Sequence, residues 1–324
     1  MRVFVTGAAG YIGSVTTALL LERGHRVVAL DDYSTGHRAA VPPGAEPVAG
    51  DLLRPEGWRD ALAGVDACVH FAGRIAVGES MADPGTYFAV NVGGAALLLR
   101  ELLAAGVPRF VFSSSAGVYG SARRIPIRES APLRPESVYG ETKRMAEEMA
   151  AWAARTRAIS AVALRYFNAA GARGPYGEDH RPETHLIPLA VDAALGLGPP
   201  LRLFGTDWPT PDGTPLRDYI HVRDLAEAHV AALEGPLAGF VPCNLGSGRG
   251  ASVREVVQAV ERVLGRPVPA EIAPRRPGDP PALVATISRA RRVLGWRPRC
   301  SELDRVVADA AAWRQAHPHG YEGG

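Results

Sequence analysis

Six short stretches in the first half of the chain are apolar along their length rather than at every second residue. They are "RVFVTG" (2–7), "RVVALDD" (26–32), "PVAGD" (47–51), "DACVHFAG" (66–73), "RFVFSSS" (109–115) and "SAVALRYFN" (160–168). A strand with one wet face alternates apolar and polar side chains. A strand that is apolar throughout has both faces covered, as in a parallel sheet held between layers of helix. Helical patterns at 12–23, 86–105 and 138–156 lie between these runs. The alternation predicts an α/β fold, a doubly wound parallel sheet of Rossmann-like type. With 324 residues, 47% of them hydrophobic, the chain can bury a sizeable core.

Past residue 175 prolines and glycines become dense, with short helical patterns at 185–195, 222–234 and 252–264. This predicts two domains: 1–175, which binds a dinucleotide, and 176–324, a smaller C-terminal α/β domain for the substrate, with some segments crossing between them. The stretch at 86–105 ("YFAVNVGGAALLLRELLAA") is apolar nearly all round. Such a helix is covered on more than one side, either within one chain or against a second copy.

A net charge of +2 argues against nucleic acid or an anionic membrane as partner. Cys68, Cys243 and Cys300 show neither disulfide nor metal-ligand spacing, so no metal is expected and the reducing cytoplasm is. No apolar run is expected to reach the ~20 residues of a membrane span, and "MRVFVTGAAG" is no signal peptide.

The first strand ends in Gly7-Ala8-Ala9-Gly10-Tyr11-Ile12-Gly13 and a helix follows. Glycines there let backbone N–H groups close on a pyrophosphate at a helix N-terminus. The second strand ends in Asp31-Asp32. A carboxylate about 20 residues past the turn accepts from an adenosine ribose and repels a 2′-phosphate, which predicts NAD rather than NADP. Later strand ends supply further candidate cofactor contacts: Asp51 and Leu52, Phe71, Ala72 and Gly73, Ser113, and Tyr166. Ligands in open α/β sheets bind at these carboxyl ends.

Ser115 ends one such strand, and "SVYGETKRM" opens the next helix with Tyr139 and Lys143 one turn apart on one face. Alone, that pair is common helix decoration. Beside a bound NAD it becomes a proton-transfer device. The tyrosine's ordinary pKa near 10 is too high for a base. A neighbouring ammonium and the nicotinamide's positive charge are expected to bring it down. Ser115 would orient the hydroxyl that gives up the proton.

These motifs resemble the extended short-chain dehydrogenase/reductase superfamily and, within it, the UDP-glucose 4-epimerase (UDP-galactose 4-epimerase) family. The resemblance covers nearly the whole chain, through "TGAAGYIGS", "DDYSTGHR", "HFAGRIAVGES", "SSSAGVYG", "VYGETK", "LRYFNAAGA", "THLIP", "GTDWPTPDGTPLRDYIHVRDLAEAH" and "RRPGD". It implies a tyrosine that deprotonates the 4-hydroxyl of a UDP-hexose while NAD takes and returns the C4 hydride. It makes Tyr139 the base, Lys143 its partner and ribose contact, and Ser115 the orienter. It adds Asn91 to the cofactor contacts. It assigns Arg217 and Arg276 to the diphosphate, Asp279 to the uridine ribose and Phe204 to the uracil. Asn168, His185, Leu186, Tyr219 and Leu283 complete the implied substrate site, and a homodimer is implied.

Four positions depart from the family pattern. Asp32 stands for a frequent Asn. Gly117 stands for a small hydroxyl residue, Ile75 for a cofactor-reaching lysine, and Leu283 for a Tyr or Cys that sets room for the sugar's 2-substituent. Other readings are 4-epimerisation of UDP-N-acetylglucosamine, a UDP-pentose or UDP-glucuronate, a 4,6-dehydratase, a net UDP-sugar oxidoreductase or decarboxylating relative, and a non-catalytic NAD sensor. The dehydratase needs an acid/base pair where this chain has Ala116-Gly117. The sensor would not need Tyr139 and Lys143 both intact.

Overall fold

The computed structural model describes residues 1–122, 124–156, 159–276 and 279–321. In chain order the strands are β1 (Arg2–Thr6), β2 (Arg26–Asp31), β3 (Glu46–Ala49), β4 (Ala67–His70), β5 (Arg109–Ser115), β6 (Ser160–Tyr166), β7 (Asn168–Ala170), β8 (Leu201–Phe204), β9 (Leu216–His221), β10 (Phe240–Leu245), β11 (Gly250–Ser252), β12 (Ala270–Ala273) and β13 (Ala282–Leu283). The helices are α1 (Tyr11–Glu22), α2 (Val77–Ala82), α3 (Pro84–Tyr87), α4 (Gly94–Ala104), α5 (Val138–Thr156), α6 (Leu186–Leu195), α7 (Val222–Glu234), α8 (Val253–Leu264), α9 (Ser288–Leu294) and α10 (Leu303–Ala316).

Seven strands form one parallel sheet in the order β10-β6-β5-β4-β1-β2-β3. Successive strand residues point to opposite faces. Val3 and Val5 enter a core shared with Val15 and Leu19 of α1 and Leu225 of α7. Phe4 enters the opposite core, with Leu98 and Leu102 of α4 and Ala146 and Ala150 of α5. Both faces of β1 are therefore dry, which is why it is apolar at every position. The expected strands are all present, but several end earlier, at Ala49, His70 and Tyr166. The residues that follow leave the sheet to build the loops over its carboxyl edge.

A second layer sits beyond that edge. β9 pairs in parallel with β7 and β13 and antiparallel with β11, while β8 and β12 form a two-stranded ribbon. A third apolar cluster packs α6, α8 and α10 around this layer. The chain returns from it to the first sheet, since α7 packs on α1 and β10 adds the outermost strand beside β6.

The apolar stretch expected as one helix is jointed: α3, a π-helical turn at Phe88–Gly93, then α4. The run Pro84–Ala104 has 21 residues and is long and apolar enough, by length and composition alone, to cross a membrane. That corrects the expectation that no segment approaches such a length. Its apolarity has a packing explanation, because Ala95, Leu98, Leu99 and Leu102 all lie in the second core cluster.

Candidate active site

The turn after β1 is shaped by what glycine lacks. Gly7 has φ +70°, and a Cβ there would lie 2.5 Å from the Ala72 backbone nitrogen. A Cβ on Gly13 would lie 2.0 Å from the Gly7 carbonyl oxygen. Helix α1 begins at Tyr11 with no side-chain cap and no acidic residue in its first turn. Its leading N–H groups, those of Tyr11, Ile12 and Gly13 among them, are thus free of side-chain acceptors and suit a pyrophosphate. The Tyr11 side chain serves the fold: its hydroxyl donates to the Gly171 carbonyl at 2.5 Å and ties the turn to the second layer.

At the end of β2, Asp31 is buried, and its carboxylate accepts from the backbone N–H of Ala9 and of Tyr33, both at 2.9 Å. Burial pushes its pKa up, against the pull of those two donors. Each oxygen keeps a lone pair for a ribose hydroxyl. Asp32 is exposed and instead caps its own loop, accepting from the Ser34 N–H at 2.9 Å. Asp51 likewise accepts from the Leu53 N–H at 2.9 Å, and Leu52 is core. Phe71 and Ala72 follow β4 and donate their N–H groups to the Thr6 carbonyl at 3.0 and 3.2 Å. That contact stitches the β4 loop to the glycine turn.

Asn91 lies in the π-helical turn, an arrangement often found at functional sites. Its side chain accepts from the Arg74 N–H at 2.8 Å and donates to the Arg74 carbonyl at 3.0 Å and the Thr142 hydroxyl at 3.1 Å. It therefore clamps the loop after Gly73 onto α5.

Ser115 ends β5, and its Oγ accepts from the Gly117 N–H at 3.1 Å. Gly140 lets α5 approach this loop, because a Cβ there would lie 2.5 Å from the Gly117 carbonyl oxygen. The approach sets Tyr139 beside Ser115. The Tyr139 N–H donates to Ser80 Oγ at 3.1 Å, which fixes the start of the helix. Lys143 is buried, with its Nζ donating to the Ser113 carbonyl at 2.7 Å and lying 5.7 Å from the Tyr139 ring centroid. The two side chains share a face, as their spacing requires. The electrostatics depart from expectation. Burial pushes the Tyr139 phenol up, and Ser115 is the group that pulls it down. Lys143 is itself pushed down to about 8 by burial, against the pull of Glu147. Within the protein alone, desolvation outweighs the pull of Ser115, and Lys143 is not among the groups that move the phenol.

Below this pair lies a buried network that the sequence reading missed. Arg165 holds Glu147 with two nitrogens, at 2.9 and 2.6 Å, and donates to the Tyr119 hydroxyl at 2.8 Å. Ser114 donates to Glu147 at 2.5 Å. Glu147 stands four residues after Lys143, a spacing that alone does not reveal a buried charge. Removing one member of such a pair typically costs about 3–5 kcal/mol. Tyr166, expected at the cofactor, is buried with its hydroxyl against His229 Nε2. His229 Nδ1 lies 2.8 Å from the Leu225 carbonyl, which leaves Nε2 to accept from the tyrosine.

Across the cleft, β7 and β9 set Asn168 opposite Tyr219, and β9 and β13 set Arg217 opposite Leu283. Asn168 donates to the Asp218 carbonyl at 3.2 Å. Tyr219 is packed in the third core cluster. Arg217 donates to the carbonyls of Leu216 and Pro280, both at 2.9 Å, and its guanidinium lies 3.7 Å from Asp279. Arg276 lies over the Phe204 ring, 3.9 Å from its centroid. The structure thus joins Arg217 with Asp279 and Leu283, and Arg276 with Phe204. His185 precedes Leu186 at the start of α6, and its side chain is taken up by Glu178 and Glu183.

The chain matches the model of the NAD dependent epimerase/dehydratase family over residues 3–246. It is 47% identical to a UDP-glucose 4-epimerase of Corynebacterium glutamicum, over 98% of this chain and 96% of that one. Among solved structures, it superposes on the UDP-glucose 4-epimerase of Brucella ovis in complex with NAD at a TM-score of 0.93 and 45% identity, covering 96% and 97% of the two chains. With the enzyme of Bifidobacterium longum in complex with NAD+ and UDP the TM-score is 0.94 at 35% identity, covering 99% and 100%. On this fold, this cleft and these likenesses, the chain belongs to the NAD dependent epimerase/dehydratase family, among its UDP-glucose 4-epimerases.

Proposed function

We propose that the protein interconverts UDP-galactose and UDP-glucose by reversible epimerisation at C4 with tightly held NAD. The single observation that carries this reading is Tyr139 and Ser115 meeting at the mouth of a glycine-built dinucleotide cradle, over a buried Lys143. Gly7, Gly10 and Gly13 with the free N-terminus of α1 would hold the pyrophosphate, and Asp31 the adenosine ribose. When bound, NAD supplies the acceptor and donor for the C4 hydride, by way of a transient 4-keto sugar. Ser115 holds the 4-hydroxyl, and Tyr139 takes its proton and later returns it. Because burial disfavours the phenolate, the base would need cationic charge beside it, and Lys143, with Nζ 5.7 Å from the Tyr139 ring centroid, is the cation this wall offers when charged.

The substrate's diphosphate falls to Arg217 and Arg276, whose planar guanidinium forks match phosphate oxygens. Asp279 takes the uridine ribose and Phe204 stacks the uracil, with Asn168, His185, Leu186, Tyr219 and Leu283 around them. On this reading residues 1–175 bind NAD and 176–324 bind the UDP-sugar, with α7 and β10 serving the first sheet. Helices α4 and α5 leave a groove lined by Leu99, Leu103, Met145, Met149 and a 55% exposed Trp152. A second copy of the chain covers it, giving a homodimer. The three cysteines are free and buried, which fits the reducing cytoplasm.

The test is to incubate the purified protein with UDP-galactose, without added NAD, and follow UDP-glucose. Turnover that disappears in Tyr139→Phe supports the reading, and an inert wild type holding stoichiometric NAD sinks it. A wider sugar range is the second reading. It rests only on Leu283, half-buried beside Arg217 and intermediate in size between tyrosine and cysteine, and the relatives do not favour it.

A further inference from the structure

The loop "GEDHRPETHL" (177–186) joins the second layer to α6 and gathers four side chains at one point. His185 Nδ1 lies 2.9 Å from Glu178 and 2.8 Å from Glu183. His180 Nδ1 lies 3.1 Å from Glu178 and 3.6 Å from Glu183. One ligand atom from each of the four falls within 4.8 Å of the others. No cysteine takes part, so cysteine spacing could not have disclosed the group.

We infer that Glu178, His180, Glu183 and His185 form a binding site for a divalent transition metal, zinc by preference. The first argument is geometric. Zinc–nitrogen and zinc–oxygen bonds of about 2.0–2.2 Å in a tetrahedron separate the ligand atoms by about 3.3 Å. The imidazole–carboxylate separations run from 2.8 to 3.6 Å, the two Glu183 distances being to its two different oxygens, and the four ligand atoms lie within 4.8 Å, so the side chains would draw together around an ion. The second argument is an orphaned atom. His180 Nδ1 is shut off from solvent and makes no properly directed hydrogen bond, although Glu178 is near. An ion among the four atoms gives that nitrogen a partner. The third argument is charge: two carboxylates neutralise a divalent ion and leave both imidazoles free to bind it as neutral ligands. Mixed imidazole and carboxylate donors favour zinc over magnesium or calcium, which prefer oxygen alone.

The surroundings are those of a supported site. Asp179, within the same loop, is not a ligand. It accepts from the Tyr321 N–H at 2.9 Å and lies 3.3 Å from His37, which anchors the loop. A cavity of about 460 Å³, lined by Glu178, His180, Glu183 and Arg181, provides an entry path. The Tyr11 ring stands edge-on to His180, 6.4 Å between centroids. A bound ion would therefore fasten the start of α6 to the same element that carries the glycine turn. The ion would touch none of Ser115, Tyr139 or Lys143; it shares His185 with the proposed substrate site, and metal content, unlike turnover, tests it separately from the proposed reaction.

The protein, expressed without a histidine tag, is stripped with chelator and titrated with Zn2+ and, as a spectroscopic probe, with Co2+. The expected result is one ion per chain and the intense visible bands of tetrahedral cobalt. His180→Gln should weaken binding by at least about 100-fold, beyond the ~10–100-fold typical of losing an outer-shell partner, and Glu178→Gln should do the same. Absence of a stoichiometric ion in the wild type, a pale six-coordinate cobalt spectrum, or full binding in both variants overturns the site. The wild-type stoichiometry decides the matter even if the variants fail to fold.

Discussion

The two walls of the cleft are fixed in different ways. On the sheet side, Asp31, Asn91, Ser115 and Lys143 are each pinned by backbone groups, at 2.7 to 3.1 Å. Glycines 7, 13 and 140 stand there at backbone contacts that no Cβ could share. On the other side, Arg276 is exposed and rests on one ring, and Asp279 faces Arg217 across 3.7 Å. Leu283 sits on a strand two residues long. On the proposed function the first wall would hold atoms whose misplacement stops the chemistry. The second would clamp a diphosphate between Arg217, itself held by two backbone carbonyls at 2.9 Å, and the exposed Arg276, which can shift with the size of a sugar.

The contrast breaks first if the sheet wall is not where the chemistry happens. Tyr139→Phe should lower kcat by about 10²–10⁴-fold, the usual worth of a positioned general acid–base. Bound NAD and thermal stability should stay near wild type, because the phenol makes no hydrogen bond the fold depends on. Retention of more than a tenth of the activity would remove the base from the account. Gly13→Ala comes next. Its new methyl must displace the Gly7 carbonyl, an overpacking that costs about 1–3 kcal/mol. NAD content on purification, read by absorbance after denaturation, should fall with the melting temperature.

Much of the sheet wall is legible in the sequence because its causes are local. A strand buried on both faces must be apolar at each position, and a turn that meets a carbonyl must be glycine. The network under it is not legible. Glu147, Arg165 and Tyr119 look like ordinary surface residues until α5 docks on β5 and β6. The substrate wall was legible only through family likeness, since short strands among prolines carry no periodicity. Of the Glu178–His185 cluster only His185 was named, as a substrate contact through family likeness, because the four side chains converge only once the loop has folded.

Lys143 tests whether the sheet wall spends stability on its chemistry. Its folded pKa, about 8, lies below the ordinary 10.5. Between those values the unfolded chain binds more protons, so this residue's contribution to stability rises with pH. The slope reaches about 1.4 kcal/mol per pH unit. Below pH 8 its full burial cost is present. Urea midpoints of the cofactor-free protein should therefore climb between about pH 8 and 10 in the wild type, and the climb should shrink in Lys143→Met. Equal slopes in the two proteins would mean that the ammonium is not buried in solution.

The substrate wall should answer differently. Arg276→Ala should raise KM for UDP-galactose by about 10–100-fold, the worth of a hydrogen bond to a charged group, with a smaller change in kcat. A fall in kcat with KM unchanged would move Arg276 into the chemistry and erase the distinction between the walls.

The smallest effect tests whether that wall chooses the sugar. Leu283 is half-buried opposite Arg217 on a two-residue edge strand and packs against the first core cluster, so a larger side chain must turn toward the substrate side to be accommodated. Leu283→Tyr should leave UDP-glucose turnover within about twofold, because a plain 2-hydroxyl needs none of the room the ring would take. The same change should cut turnover of UDP-N-acetylglucosamine several-fold, and Leu283→Ala should raise it. Variants that alter both sugars equally, or neither, would show that the 2-substituent points elsewhere. Sugar choice would then rest on the Ser115 side, where a Cβ on Gly117 would lie 3.3 Å from Ser115 Oγ and 3.8 Å from the Tyr139 ring, so that any side chain there would crowd the sugar's 4-hydroxyl.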